Sequence, residues 1–579
     1  MMNPSTNSAA EPVHYRSLTE LRAQLATLLT REGRLTSSEL QDIQQRAAWK
    51  NELLEDRLLQ EEILSEEEIL RHYSTLTGIP LLKAEDARVD PATVETVPAR
   101  AVVHYRIMPL RSESRMIVLA TDHVRDPEEE AELRVILGRS IQWMLCTHRE
   151  ISEFISHFYG IGIETFLDLE ESDVRGTAAR RTGDEALGIP AFVDEVIRDA
   201  IRSNATDIHV EPDEEWLRVR YRIDGVLYPA RLPRGIEKYQ RALISSIKVM
   251  AQMDIAERRM PQDGRFEKEL DDQVFDIRVS LLPTRHGESV ELRLLNRSAT
   301  FLRMEELGLP AARKAQLTEL IHLPYGLILF TGPTGSGKTT SLYAGLADLN
   351  DSERNIITIE DPVEYQIRGI TQLQIQTQIG FTFAHGLRSI LRHDPDVILV
   401  GEIRDDETAD IAVSSALTGH LVLSTLHTND SAAAATRLVD MGIEPYLVAS
   451  SLQGVIAQRL IRRICPQCRE EMALDKSYEA EVHQLFPERT EPVRIWRGRG
   501  CPQCRFTGYH GRRAIYEMLE ISDEIRALII ERASSTAIMR RAVELGVTPL
   551  RQAGWELVLS GETSLEDLLR VTSRPRGNQ

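Results

Sequence analysis

Apolar and polar positions change period several times along these 579 residues, and each change marks a different kind of element. Residues 1–20 show no apolar period, only small and polar residues with prolines, which predicts a flexible arm. A helical period begins near Leu21, and two stretches then repeat at an offset of 29, LTREGRLTSSEL from Leu29 and LLQEEILSEEEI from Leu58. Each contains a capping box, Thr36-x-x-Glu39 and Ser65-x-x-Glu68, in which side chain and main chain satisfy each other's free donors at a helix start. A duplicated helical hairpin is expected, followed by a small α/β module, so that residues 21–160 form one N-terminal region. That module contains the strand-like run Met116–Ala120 and a capped acidic helix near Asp126-Pro127-Glu128.

Residues 161–187 have scattered charge, glycine and little apolar period, and read as a linker. From 188 to 298 the period becomes two. Trp216–Ile223 alternates apolar and basic residues before the hairpin signal Asp224-Gly225. Phe275–Ser280 and Val290–Leu295 alternate in the same way and place Arg278 and Arg293 on polar faces. From 299 to 579 short continuous apolar runs alternate with helical patterns, the signature of a parallel sheet covered on both faces.

A chain of this length holds about three or four domains of roughly 150 residues. With 42% hydrophobic and 27% charged residues it is a folded globular protein rather than a disordered or fibrous one. The formal charge of -20, from 89 acidic and 69 basic residues, argues against a general nucleic-acid or anionic-membrane surface. The longest apolar runs, such as Gly326–Phe330, fall short of the ~18–20 residues a bilayer span needs, and the polar start lacks a signal-peptide core, so a cytoplasmic protein is expected.

The sharpest chemical signal is Gly332-Pro333-Thr334-Gly335-Ser336-Gly337-Lys338-Thr339, followed by Thr340. It is a G-x-x-x-x-G-K-T run set between a buried-strand pattern and a helical one. In such a loop the glycines let main-chain N–H groups close around phosphate, Lys338 reaches the β- and γ-oxygens, and Thr339 can ligate Mg²⁺. Three later strands end in polar chemistry: Ile356–Ile359 before Glu360-Asp361-Pro362-Val363-Glu364, Asp396–Val400 before Gly401-Glu402-Ile403-Arg404-Asp405, and Leu421–Thr425 between His420 and His427. Ligands of open parallel sheets gather at the carboxyl ends of the strands, so these groups are expected to converge on the nucleotide. Any one of the carboxylates could instead cap the next helix.

Four of the five cysteines form Cys465-Pro466-Gln467-Cys468 and Cys501-Pro502-Gln503-Cys504. Two such knuckles in a chain without an export signal suit a tetrahedral structural Zn²⁺ better than disulfides, although the gap between them exceeds the common zinc-ribbon spacing. Cys146, alone in an apolar segment, reads as a core residue.

The phosphate loop, the acidic box Ile359–Tyr365, the Walker-B-like run Asp396–Asp405 and the histidine box Thr418–Asp430 together resemble the secretion ATPases of type II secretion and type IV pilus assembly. Ala205–Pro212 and Arg258–Arg265 look like further signatures of that family, with Thr206 where serine is usual. The resemblance covers about residues 188–575. It implies an α/β, multidomain protein: a RecA-like P-loop ATPase core at 299–579, a small PAS-like α/β domain at 188–298 carrying arginine fingers, and a mixed helical N-terminal region. It also implies a zinc-binding tetracysteine insertion at 464–506.

Residue by residue, the resemblance makes Glu364 the catalytic glutamate that polarises the attacking water and Glu402 the metal-side Walker B glutamate. Lys338 is then the phosphate lysine, and His420 and His427 are phosphate-sensing or coupling residues. Arg278 and Arg293 resemble arginines that reach the γ-phosphate from the preceding domain, and a segment near Ala299–Leu307 is expected to let that domain swing. The implied cofactors are ATP, Mg²⁺ and Zn²⁺. The implied partners are a homohexamer, an inner-membrane platform protein and the cytoplasmic domain of a membrane-anchored adaptor, with the chain held peripherally at the inner membrane.

The tetracysteine insertion favours assembly over retraction motors. His286-Gly287-Glu288 and Gly511–Glu517 look more like the type II secretion member than the pilus one. A nucleic-acid translocase is the reading from another class, and the charge of -20 and 5% aromatic residues stand against it. Some relatives sense a cyclic dinucleotide through an Arg-Leu-Gly start; this chain has Arg34-Leu35-Thr36 and Glu62-Ile63-Leu64, so a protein-docking N-terminal region is expected.

Overall fold

The structure is a computed structural model that describes residues 17–50, 52–82, 88–113, 115–175, 184–297 and 302–572. It divides into two compact units, 1–295 with 500–506, and 296–499 with 507–579.

The first unit begins with helices Leu18–Arg31, Ser37–Lys50, Leu54–Gln60 and Glu66–Thr77. Most of the expected arm lies outside the described residues, and the first helix starts within it, capped by Ser17. Both capping boxes form: the N–H of Thr36 donates to Glu39 at 2.8 Å, and that of Ser65 to Glu68 at 2.9 Å. Leu21, Leu25, Leu29, Leu58 and Leu70 close one core between the helical pairs. A three-stranded sheet follows, Ile107–Glu113, Met116–Thr121 and Ser140–Leu145 in that order, with Asp126 capping the helix Pro127–Leu137. Cys146 is buried there, as expected of a core residue.

Part of the expected linker is a helix, Ile163–Arg175, whose Ile163, Phe166 and Leu169 are buried; residues 176–183 lie outside the described residues. These apolar positions fall three residues apart, a stripe that the surrounding acidic residues dilute but do not abolish. The helix packs into the core of a six-stranded sheet in the order Val226–Ala230, Leu217–Ile223, Ala205–Pro212, Gly287–Asn296, Gln273–Thr284, Gln262–Leu270. Asp224 and Gly225 both take positive φ, 51° and 80°, as a two-residue primed hairpin turn requires. Arg278 and Arg293 are exposed on their strands, as the alternation predicts.

The second unit is built on a seven-stranded sheet. Its order is Thr371–Gln374, Ile356–Glu360, Val397–Val400, Leu421–Leu426, Gly326–Thr331, Leu452–Ile464 and Tyr509–Glu520. All neighbours pair in parallel except the last two strands. Every residue of the four strands from Ile356–Glu360 to Gly326–Thr331 is buried, because helices cover both faces. Of the segment expected to swing, Ala299–Phe301 lie outside the described residues, while Met304 and Leu307 are buried in this unit's core.

Candidate functional site

The strand Gly326–Thr331 and the helix Lys338–Leu349 frame the loop Gly332–Gly337. Gly332, Gly335 and Gly337 have φ of 150°, 77° and 86°. At Gly332 a Cβ would lie 2.6 Å from the carbonyl oxygen of Gln458 and 2.7 Å from Ser336 Oγ, so only glycine fits. Gly337 caps the helix without a side-chain hydrogen bond, which leaves the first-turn N–H groups at Lys338, Thr339 and Thr340 for an anion. Thr334 and Pro333 lie on the exposed rim with Thr339 and Thr340.

Lys338 is buried, and its Nζ donates to the loop's own carbonyls, Gly332 at 2.7 Å and Pro333 at 3.1 Å. Burial lowers its pKa to about 8; Glu402 opposes the shift and Arg459 adds to it. Two buried polar atoms beside the loop, Ser336 Oγ and Gln458 Oε1, have no hydrogen-bond partner. Unsatisfied polar atoms, a buried ammonium and an uncapped helix start on one loop fit a phosphate chain and its metal.

Glu402 follows the strand Val397–Val400 and is bound by Arg404 and by His427, whose Nε2 lies 3.2 Å from its Oε2. Arg404 also approaches Asp361 of the acidic box at 3.6 Å. Glu364 is exposed on that box. The structure brings Glu402 and His427 together, and the Glu402 charge acts on Lys338. His420 stands apart from them, because it precedes the strand Leu421–Leu426 while His427 follows it. At ~3.3 Å per residue the two histidines are about 20 Å apart. His420 Nδ1 instead lies 3.0 Å from the carbonyl oxygen of Ser415, an ordinary satisfied imidazole. Arg278 sits opposite Arg265 across its ladder, and Arg293 is ion-paired to Asp207 at 2.9 Å, both in the first unit.

Sequence reasoning missed Arg459. It lies on the strand Leu452–Ile464 beside the loop, donates to the carbonyl of Asn429 at 2.6 Å, and is buried. Its sequence signal was weak, since Arg459 is one of three arginines in the strand, with Arg462 and Arg463.

The four cysteines Cys465, Cys468, Cys501 and Cys504 are all buried, with their sulfurs within 4.8 Å of one another. Cys501 and Cys504 Sγ are 3.7 Å apart, against an edge of about 3.8 Å for a tetrahedron with Zn–S of ~2.3 Å. The long gap between the knuckles is taken up by the strand pair Arg469–Met472 and Ile495–Gly498 and the helix Lys476–Leu485, which bring the two knuckles together. Gly498 closes this module: a Cβ there would lie 1.9 Å from the carbonyl oxygen of Gly508.

Comparison with known proteins places these features. The sequence profile of the type II/IV secretion system protein family matches residues 183–570, and that of the MshEN domain matches 77–165. The chain is 47% identical over 414 residues to the type II secretion system ATPase E of Vibrio cholerae, covering 71% of this chain and 81% of that one. It is 48% identical over 506 residues to the type II secretion system protein E of Pectobacterium carotovorum, covering 86% and 96%. It is 37% identical over 570 residues to the type IV pilus assembly ATPase PilB of Myxococcus xanthus, covering 96% and 100%. The chain belongs to the type II/IV secretion system protein family, the ATPases of secretion and pilus assembly.

Proposed function

We propose that this chain is the Mg²⁺-dependent motor of a type II secretion system, a homohexamer that hydrolyses ATP to drive a pseudopilus. One observation carries the nucleotide chemistry: the buried Lys338 stands within electrostatic reach of Glu402 and Arg459, and two buried polar atoms without partners lie beside the same loop. Lys338 and the loop N–H groups hold the phosphates, Thr339 and Glu402 hold Mg²⁺, and Glu364 orients and activates water. Arg278 and Arg293 supply charge to the γ-phosphate, and His427 reports the state of Glu402. Cys465, Cys468, Cys501 and Cys504 hold a structural Zn²⁺. Among the described residues no helix is long and apolar enough to cross a membrane. In this reading the motor is held at the inner membrane by a platform protein and an adaptor's cytoplasmic domain.

The full-length match to the pilus assembly ATPase favours a second reading, pilus extension. Deleting the gene separates the two. Loss of secreted protein with normal piliation supports the first, and loss of pili with normal secretion selects the second. Purified protein without Mg²⁺-dependent ATP turnover would refute both.

A further inference from the structure

A phenol ties the acidic box to the phosphate-loop helix. Tyr343, on the helix Lys338–Leu349, is buried, and its hydroxyl donates to the carboxylate of Glu360, the last residue of the neighbouring strand. The main-chain N–H groups of Glu364 and Tyr365 face the same phenol oxygen. The ring of Tyr365 packs edge-on against that of Tyr343, with centroids 6.4 Å apart.

Glu360 is itself buried and fully organised. Thr358 Oγ1 donates to it at 2.6 Å and Gln372 Nε2 at 3.2 Å. Gln372 in turn donates to the carbonyl of Tyr365 at 3.0 Å and accepts from the N–H of Ile367 at 2.7 Å. The loop that carries Glu364 is thus hydrogen-bonded at residues 365 and 367 through Gln372, which leads back to Glu360, and the ring of Tyr365 rests on that of Tyr343. An apolar ring would fill the same space, so packing alone does not call for the hydroxyl. A buried carboxylate held by three neutral donors costs desolvation that a core without it avoids.

We propose that Tyr343 and Glu360 are positioning residues that set the main chain of Glu364 from the phosphate-loop helix, so that water activation is built only where the phosphate loop is in register. The proposal rests on the role of Glu364 given above. Neither residue touches nucleotide; both act through the acidic loop.

Steady-state kinetics on the full chain test it. Tyr343→Phe, which removes one oxygen, lowers kcat about tenfold while KM for ATP stays within about twofold. Glu360→Gln keeps an acceptor for the phenol and falls less than Glu360→Ala. Adding Tyr343→Phe to Glu364→Gln lowers kcat no further, because the residue being positioned has already lost its function. A Tyr343→Phe variant with wild-type kcat overturns the proposal, as does a further additive loss in the double variant. If Glu364→Gln itself retains full turnover, the reading of Glu364 fails first and this inference falls with it. If Glu364→Gln is slow and Tyr343→Phe is not, only the inference fails. A drop in ATP affinity or thermal stability that tracks the loss of kcat would make Tyr343 a packing residue.

Discussion

Asp207 and Arg293 face each other across two antiparallel strands, with the guanidinium Nε 2.9 Å from the carboxylate. Asp207 also pairs with Arg222, on the strand to its other side, at 3.5 Å. The carboxylate is buried and Arg293 is more than half exposed; Asp207 holds the Nε edge of the guanidinium while its Nη2 pairs with Glu291 at 3.3 Å.

In the proposed motor this arginine serves the site of another subunit. Arg293→Ala is expected to lower ATP turnover on the order of 10³-fold. Mixing Lys338→Ala with Arg293→Ala chains should restore activity at about a quarter of randomly formed interfaces, those with an intact loop and an intact neighbouring arginine. A cis arrangement leaves every site defective, so mixed rings of verified composition with no recovery sink the trans assignment.

Lys338→Ala should abolish measurable ATP binding, because the loop loses its cation. Glu364→Gln keeps the shape of the box, so nucleotide affinity should stay near wild type while turnover falls on the order of 10²-fold or more. Equal loss of binding in the two variants would make Glu364 a structural residue.

Nucleotide affinity should depend on alkaline pH. Burial holds the Lys338 ammonium at a pKa of about 8, below the usual lysine range, so above that pH the free protein must take up a proton to hold a polyanion. The dissociation constant for ADP should weaken on the order of tenfold between pH 7.5 and 9.5, with proton uptake visible calorimetrically in buffers of different ionisation heat. A flat profile without proton uptake removes Lys338 from this role.

Metal analysis of the purified chain should find about one Zn²⁺ per protomer, and chelation should open residues 460–515 to protease before the nucleotide core. Cys468→Ser should do the same without chelator. Metal-free protein with an unchanged cleavage pattern would defeat the assignment.

Local signals survived folding best. The capping boxes at Thr36 and Ser65 and the turn at Asp224-Gly225 depend only on neighbours in sequence, and each forms as read. The phosphate loop was legible for the same reason. Arg459 was not, because its place beside the loop depends on the strand Leu452–Ile464 lying next to Gly326–Thr331, and that order is set by crossovers. His420 was misplaced by treating the histidine box as one patch, when six strand residues carry its two histidines to opposite ends of the sheet. The helix Ile163–Arg175 was missed because its acidic face masks a narrow apolar stripe.

The strand Leu452–Ile464 has a consequence for grafting. Ala457 pairs with Thr331, so Gln458 and Arg459 stand level with the start of the phosphate loop, and the same strand runs directly into Cys465. The pairing of this strand shifts register between Arg462 and Ile464, so the number of residues between Arg459 and Cys465, together with that irregularity, sets which face of the sheet the first thiolate leaves from. Modules transplanted from relatives should therefore be accepted when that count is kept. A single inserted residue would turn the knuckle over while leaving both motifs intact in the sequence.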